Sequence, residues 1–258
     1  MNVIQLWPGS PLGNFNYLIT FENLCYVVDP FDADLIKQHL ESYGLSLLGI
    51  INTHFHWDHV KANEELKEKY SCEVICHEKS LQIIPGASRG VLSGDSIELG
   101  EDKIIFTETP GHTEDHVCLF LFNHQRVTAV ISGDTLFNAG VGNCRNGGDV
   151  NALYQTIAAH FFTLEEDVVV YPGHDYILNN LRFTLSVEPD NSYAQSLLSK
   201  LEGRDDQEYC SYLTTIGEEK KMNSFFRLHS KSIRQQLNID AVSDKEVFVK
   251  LRSMRDKW

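Results

Sequence analysis

The chain has 258 residues, of which 42% are hydrophobic and 22% are charged, a composition typical of a folded globular protein. Its formal net charge of -14 disfavours a nucleic-acid partner, because nucleic acids are bound by basic surfaces. The first residues lack a basic, apolar leader, and no apolar run is long enough to span a bilayer. We therefore expect a cytoplasmic protein with no membrane partner; the oligomeric state is not predictable from the sequence.

Cysteine spacing gives no sign of a disulfide framework or of a CxxC metal site. Several cysteines lie in apolar, strand-like segments, where a thiol acts as a small hydrophobic side chain. We expect all six to be reduced and mostly structural, as in a reducing compartment. They are Cys25, Cys72, Cys76, Cys118, Cys144 and Cys210.

The chain starts with two strand-like runs, 16–20 and 24–28, and a short turn between them predicts that they pair antiparallel. The second run ends at Asp29-Pro30, where proline stops the strand. Taken alone, Asp29 is best explained as a turn residue. Its functional alternative is a carboxylate that orients a metal-binding histidine. A helix is predicted over 32–44, where Gly44 stops it.

The most informative stretch is 53–59, which reads Thr-His-Phe-His-Trp-Asp-His. It follows an apolar, β-branched run over 47–52 that predicts a buried strand, and it precedes a predicted helix over 60–70. Imidazole and carboxylate groups bind zinc, iron and manganese. The sequence therefore predicts a metal site at a strand-to-helix turn, where open α/β sheets place their ligands.

Further strands are predicted over 73–77, 96–99 and 103–109, the last two as a hairpin. The stretch 83–95 contains glycines and a proline, and it is predicted to be a loop. His77, at the end of the first of these strands, is expected to have no catalytic role.

The same arrangement recurs later in the chain, where apolar strands end in tight turns that carry His or Asp. Strands are predicted over 117–122, 127–131 and 168–171. His112 lies in the turn after the strand predicted over 103–109. Asp134 lies in the turn after 127–131, and His174 in the turn after 168–171. We expect His116, which leads into a buried strand, to be structural.

The donors divide into two metal sites that share one carboxylate. His54, His56 and His112 are assigned to one ion, Asp58, His59 and His174 to the other, and Asp134 bridges the two. Two divalent ions ~3.5–4 Å apart share a water and lower its pKa, which gives a hydroxide nucleophile near pH 7. The expected reaction is hydrolysis of an acyl compound, with Asp58 and Asp134 as the catalytic carboxylates.

Two other segments carry weaker signals for a functional site. Cys144, next to Arg145, is a potential low-pKa thiolate, but no histidine is tied to it by the sequence, so cysteine catalysis is disfavoured. Gly140-Val141-Gly142 lacks the Lys-Ser/Thr ending of a phosphate-binding loop.

Composition changes after about residue 177. Apolar residues recur at near-helical spacing over 178–203, with a break at Pro189, and 205–258 is rich in charge with apolar residues at intervals. We predict a catalytic domain over 1–177 and a smaller helical, substrate-binding domain over 178–258.

At these residues the chain resembles the metallo-β-lactamase superfamily, and it is most similar to its glyoxalase II (hydroxyacylglutathione hydrolase) branch. The resemblance rests on the 53–59 motif, on 109–113 (Thr-Pro-Gly-His-Thr), on 132–137, on 173–176 and on the basic C-terminal end at 251–258. It implies an α+β fold, an αββα sandwich of two mixed sheets flanked by helices, with a helical C-terminal domain.

The resemblance also implies an activity, hydrolysis of S-D-lactoylglutathione to D-lactate and glutathione by a metal-bound hydroxide. It implies two divalent ions, with zinc favoured and iron or manganese as alternatives. The family holds glutathione through a tyrosine and basic residues that match Tyr176, Arg252 and Arg255 here. Arginine suits this role because it pairs bidentately with carboxylates.

One departure from the family pattern lies in the loop 140–148, Gly-Val-Gly-Asn-Cys-Arg-Asn-Gly-Gly, where the basic and aromatic residues are displaced. Arg145 is the candidate for the basic role in this loop. The departure motivates an alternative hypothesis, hydrolysis of another acyl thioester or a lactone. A second alternative, a mononuclear iron persulfide dioxygenase, is disfavoured by the long C-terminal part and the complete second metal set. A non-enzymatic protein is disfavoured because no ligand is missing.

Overall fold

A computed structural model describes residues 1–202, 212–239 and 241–258. The chain divides into two compact units. The first unit comprises Met1–Thr109 and Asp115–Gly133, and the second comprises Pro110–Glu114 and Asp134–Trp258. The predicted boundary at residue 177 stays a prediction. Within the described ranges, no helix combines the length and the apolar character that a membrane crossing needs.

The first unit contains a six-stranded mixed sheet in the order β1-β2-β3-β4-β5-β6. The strands β1–β3 pair antiparallel and β3–β6 pair parallel. The predicted antiparallel start and the strand before the His/Asp turn are confirmed. The strands are β1 Asn2–Leu6, β2 Asn16–Phe21, β3 Leu24–Val28, β4 Ser46–Ile51, β5 Glu73–His77 and β6 Arg89–Val91.

The loop predicted over 83–95 is wrong in part, because β6 lies within it. This strand has only three residues, Arg-Gly-Val, so it carries no alternating pattern of its own. It forms because β5 offers a parallel partner, with Cys76 opposite Gly90.

The helix α1 spans Ala33–Tyr43, as predicted. The side chain of Asp32 accepts a hydrogen bond from the amide of Leu35 at its start, and Gly44 ends it with φ of 63°. Ile36 and Leu40 are buried against sheet residues such as Val27. Burial of this apolar face fixes the helix on the sheet.

The helix predicted over 60–70 is confirmed over Asn63–Tyr70, which forms α3, but it begins later than predicted, because Trp57–Val60 forms a separate short helix, α2. Between them, the amide of Ala62 donates to the carbonyl of Pro30 at 3.0 Å. The buried Asn63 side chain also donates to Asn52 Oδ1 at 2.8 Å. These long-range hydrogen bonds break the helix, and the local sequence does not show them.

Four antiparallel strands complete the first unit, namely β7 Ser96–Leu99, β8 Asp102–Glu108, β9 Val117–Asn123 and β10 Arg126–Gly133. The predicted β7–β8 hairpin is confirmed. The amide of Val117 donates to the carbonyl of Thr53 at 2.9 Å. His77 Nε2 lies 2.9 Å from Glu108 Oε1. These bonds tie the two groups of strands together beside the His/Asp turn.

The second unit contains two strand pairs and six helices among its described residues. The helical break predicted at Pro189 is confirmed, since α5 ends at Val187 and α6 begins at Ser192. Sequence reasoning missed the β11–β12 pair and α4. Cys210 lies outside the described residues. The elements are β11 Leu136–Phe137, β12 Gly140–Val141, α4 Val150–His160, β13 Val169–Pro172, α5 Ile177–Val187, α6 Ser192–Leu201, β14 Thr214–Thr215, α7 Ile216–Met222, α8 Lys231–Gln236 and α9 Asp244–Arg255.

Candidate metal centre

Asp29 organises the turn that follows β4. It sits at the end of β3 with φ of 51°, a left-handed conformation that aspartate tolerates better than most residues. Its buried carboxylate accepts from the Thr53 amide at 2.8 Å and from the Thr53 hydroxyl at 2.7 Å. His59 Nδ1 lies 2.9 Å from the same carboxylate. Asp29 is therefore an orienting residue as well as a turn residue, which supports its functional alternative.

This hydrogen bond sets the chemistry of His59. With Nδ1–H directed at Asp29, the Nε2 atom carries the lone pair that a metal needs. His59 Nε2 lies 3.6 Å from Asp58 Oδ2, and both side chains are buried. The short helix α2 brings them together, because both residues lie in its single turn.

His54, His56 and Asp58 complete the donor set of the first unit. His54 Nε2 and His56 Nδ1 are 3.0 Å apart. Asp58 Oδ2 accepts from the side-chain amide of Asn14 at 2.9 Å, a contact that sequence reasoning missed. Donor atoms of Asp29, His54 and His59 all lie within 4.8 Å of one another. The first unit thus gathers four predicted ligands, with nitrogen and oxygen donors suited to a divalent cation.

The three predicted ligands of the second unit also lie together. Asp134 Oδ2 is 3.4 Å from His112 Nε2 and 3.3 Å from His174 Nε2. His112 Nδ1 lies 2.6 Å from the carbonyl of Asn143, so this nitrogen is the donor and Nε2 keeps its lone pair. A lone pair and a carboxylate that face each other attract a proton or a cation. The second donor set therefore also fits a divalent metal ion.

Glycine is required where the loop passes this cluster. A Cβ on Gly142 would lie 1.9 Å from the carbonyl oxygen of Asp134 and 3.1 Å from His112 Nδ1. A Cβ on Gly148 would lie 2.2 Å from the carbonyl oxygen of Gly111. The backbone of the loop 140–148 can therefore pass this close to the donors only because these two residues are glycines.

His116 and Cys144 are placed in structural surroundings. His116 is fully buried, its Nδ1 lies 2.9 Å from the Thr109 hydroxyl, and its ring stacks on His54 at 5.1 Å. Burial raises the pKa of the Cys144 thiol to about 12, with nearby acidic groups adding to the shift and Arg252 opposing it. A thiol with this pKa stays protonated at neutral pH, which disfavours cysteine catalysis.

A pocket in the second unit brings together the four predicted substrate-binding residues, Arg145, Tyr176, Arg252 and Arg255. Tyr176 stacks on His174 at 5.0 Å, and Phe137 packs against both rings. The pocket wall therefore contacts His174, a candidate metal ligand. Phe137 escaped sequence reasoning because it lies in the short β11, which has no periodic pattern.

The three arginines of this pocket differ in solvent exposure and in the hydrogen bonds that hold their side chains. Arg252 is 5% exposed, and its Nη1 donates to the carbonyls of Val141 at 2.9 Å and Gly142 at 3.2 Å. Arg255 is half-buried, and its Nη2 donates to Asn180 Oδ1 at 3.2 Å. Burial lowers the pKa of both guanidinium groups. Arg145 is 58% exposed. Arg252 therefore fixes the loop, whereas Arg145 has the most freedom to meet a ligand.

Two family models together cover almost the whole chain. The metallo-beta-lactamase superfamily model matches residues 9–174, and the hydroxyacylglutathione hydrolase C-terminus model matches residues 175–258. A hydroxyacylglutathione hydrolase from Polaromonas sp. is 41% identical to the chain, with all of both sequences covered. One from Nitrosococcus oceani is 38% identical, again with all of both sequences covered.

Solved structures show the same fold at lower identity. ETHE1 from Myxococcus xanthus is 24% identical, with a TM-score of 0.66 over 99% of this chain and 98% of that one. The B3 metallo-beta-lactamase BLEG-1 is 22% identical, with a TM-score of 0.67 over 88% of this chain and 100% of that one. The predicted α+β metallo-β-lactamase fold is thereby confirmed.

Proposed function

Since the chain belongs to the hydroxyacylglutathione hydrolase family of the metallo-β-lactamase superfamily, we propose that it hydrolyses S-D-lactoylglutathione to D-lactate and glutathione. The observation that most supports this is the 41% identity to a hydroxyacylglutathione hydrolase over the full length of both chains. The match to the C-terminal family model over 175–258 disfavours the persulfide dioxygenase alternative, since the sequence of this part follows the hydrolase branch.

The proposal assigns all seven predicted ligands to one centre with two divalent cations. His54, His56 and His112 would hold one ion, Asp58, His59 and His174 would hold the other, and Asp134 would be shared between the two. The sequence motif and the family support the pairing, and the donor geometry within each unit fits it. Zinc is the favoured metal, with iron and manganese as alternatives. When bound, such ions polarise a carbonyl group and lower the pKa of water towards neutrality.

The side chains supply the remaining chemistry. Asp58, whose Oδ2 is held by Asn14, accepts a hydrogen bond from the attacking water and orients it. The water oxygen adds to the acyl carbon and loses its protons to solvent, the C–S bond breaks, and the sulfur leaves as glutathione thiolate, which takes up one proton. Tyr176, Arg145, Arg252 and Arg255 bind the glutathione part, which carries two carboxylates for the guanidinium groups.

The loop 140–148 favours one further candidate, hydrolysis of another acyl thioester or a lactone by the same centre. Arg145 reaches the pocket from a different register than the family pattern has, so the thiol carrier is the part of the substrate most open to change. The two functions differ in substrate and not in chemistry.

The test follows loss of thioester absorbance with S-D-lactoylglutathione and an acyl-CoA as substrates, and release of acid with a lactone. We expect rapid turnover of the glutathione thioester, which Asp134→Ala abolishes and which Asp34→Ala, a change at an exposed residue of α1, leaves intact. Faster turnover of the acyl-CoA or lactone would reject the glutathione assignment. Full activity of Asp134→Ala would reject the metal centre.

We also propose a cytoplasmic location. The described cysteines, Cys25, Cys72, Cys76, Cys118 and Cys144, are free thiols, as is usual in reducing compartments.

A further inference from the structure

Two phenylalanine rings in the core of the second unit stack on each other. Phe183 belongs to α5, and Phe225 follows α7. Both side chains are buried, and their ring centroids are 6.3 Å apart with an angle of 21° between the ring planes. We call this stacked pair the phenylalanine platform. Its two rings come from separate elements, so close packing of the core fixes their relative position.

Each ring of the platform faces one guanidinium group. The Cζ atom of Arg255 lies 5.8 Å from the ring centroid of Phe183, and that of Arg252 lies 5.7 Å from the ring centroid of Phe225. A guanidinium group within about 6 Å of a ring centroid is attracted by the negative face of the ring. The two arginines are separated by one turn of α9, so they lie on the same side of the helix and reach neighbouring rings.

This attraction matters because both guanidinium groups have lost much of their hydration. Burial lowers the pKa of Arg252 and of Arg255, since the surroundings disfavour the charged form. Among the residues that the structure describes, the buried Nε of Arg252 has no hydrogen-bond partner. Hydrogen bonds to oxygen therefore satisfy this group only in part. The face of an aromatic ring offsets some of the remaining cost of burying the cation.

Further aromatic side chains enclose the platform. Phe248 of α9 packs edge-on against Phe225, with centroids 5.1 Å apart. Trp258 packs edge-on against Phe183, with centroids 5.7 Å apart. These contacts limit rotation of the two rings, so their faces keep a fixed direction toward the guanidinium groups.

We propose that Phe183 and Phe225 are positioning residues, which hold Arg255 and Arg252 by cation–π contact in the orientation that receives the carboxylates of the thiol carrier. A side chain that is already ordered loses less conformational entropy when the ligand binds. The platform therefore acts on KM and leaves kcat unchanged. This inference rests on the proposed function and adds two residues that act through the arginines.

The test changes the charge on the face of the ring and keeps the size of the ring close to that of phenylalanine. Phe183 is replaced by mono-, di- and trifluorinated phenylalanine, because fluorine withdraws negative charge from the ring face. KM for S-D-lactoylglutathione is expected to rise with each added fluorine, by about three- to fivefold in total, with kcat nearly unchanged. A ring that only fills the core would leave KM constant across the series, and that result would overturn the inference. The same series at Phe225 is an independent measurement with the same expected trend.

Two controls separate the charge of the ring face from other effects of fluorine. In the Arg255→Ala background, fluorination of Phe183 should leave KM unchanged, because this ring acts through Arg255. Fluorination of Phe122 in the parent should also leave KM unchanged, although Lys103 Nζ lies 5.3 Å from that ring centroid in the first unit. A rise in KM of the same size with and without Arg255 would overturn the assignment of Phe183 to this arginine.

Failure of the proposed function would give a different result. A parent protein that does not hydrolyse S-D-lactoylglutathione would reject the proposed function, and the role of the platform with it. A parent protein that hydrolyses this thioester, with the same KM at every degree of fluorination, would reject the role of the platform alone.

Discussion

The turn after β4 and the pocket at the end of α9 are built in opposite ways. The turn takes its donors from seven consecutive residues, and buried hydrogen bonds to Asp29 fix them. The pocket takes its residues from separate stretches, and its side chains range from the 5% exposed Arg252 to the 58% exposed Arg145. A rigid turn suits an invariant chemistry, whereas a partly exposed wall allows changes in the carrier that is recognised.

The largest effect is expected where a proposed metal ligand is lost. His174→Ala should lower kcat/KM by roughly a thousandfold or more, the scale of losing one preorganised electrostatic group at a reacting centre. It should also remove about one bound metal per chain, which elemental analysis measures. His229→Ala, a change at an exposed histidine of the same unit, should alter neither value. An active His174→Ala enzyme with its full metal content would refute the ligand assignment.

A pH-dependent stability is expected in the second unit, which also contains the pocket. Glu219 is fully buried, and its carboxylate accepts from the Ala139 amide, which follows β11, and from Asn223. Burial raises the pKa of Glu219 to about 7, although the bonds from Thr214, Ala139 and Asn223 oppose the shift. The folded state therefore holds this proton more tightly than the unfolded chain does.

The direction in which stability changes with pH follows from the higher pKa of Glu219 in the folded state. The stabilisation from Glu219 is complete below the unfolded pKa of about 4.5 and is lost as the pH rises through about 7. Glu219→Gln should remove this loss, so that stability relative to the parent rises by up to roughly 3 kcal/mol between pH 4.5 and 8. Urea unfolding across this range measures it. A difference between parent and variant that is constant with pH would contradict the assignment.

A smaller effect is expected at the residue that orients the turn. Asp29→Asn keeps the left-handed backbone, which asparagine tolerates, but weakens the acceptor for Thr53 and His59. Metal affinity should fall by about 10- to 100-fold, as for other residues that orient a metal ligand. Competition with a chelator measures this. Asp32→Asn, at the cap of α1, should leave the affinity unchanged. Equal affinities for the parent and Asp29→Asn would show that the turn is held without Asp29.

The smallest effect is expected in the pocket. Arg255→Ala should raise KM for the glutathione thioester by about tenfold and leave kcat almost unchanged, because a carboxylate contact remote from the reacting carbon contributes uniform binding. Initial rates over a range of substrate concentrations separate the two constants. Arg182→Ala, at an exposed ion pair on α5, is the control. A loss in kcat without a change in KM would show that Arg255 acts in the chemical step, and it would contradict the assignment of this pocket to binding alone.

Sequence reasoning succeeded where the determinants are local. The residues of the turn at 53–59 are consecutive, and α1 lies between the cap residues Asp32 and Gly44. Both elements could therefore be predicted from the sequence. It failed where a partner elsewhere decides the structure. The break between α2 and α3 depends on the Pro30 carbonyl, and β6 depends on pairing with β5.

Two omissions in the second unit have different causes. The helix α4 did carry a signal, the cap Asp149 followed by Leu153 and Ile157 at helical spacing, both of which are buried. The contacts of Asp256 carried almost none. Its i, i+4 spacing from Arg252 suggests only a helical ion pair, and the contact with Arg145 spans 111 residues. Long-range contacts of this kind appear only once the chain is folded.

The most direct test of the proposed centre is a metal titration of chelator-treated protein. The rate of S-D-lactoylglutathione hydrolysis is followed as zinc is added, with iron and manganese in parallel. We predict negligible activity without metal and a rate that rises to a plateau at about two equivalents per chain. Full activity of the metal-free protein, or a plateau at one equivalent, would contradict a two-ion centre built from these seven ligands.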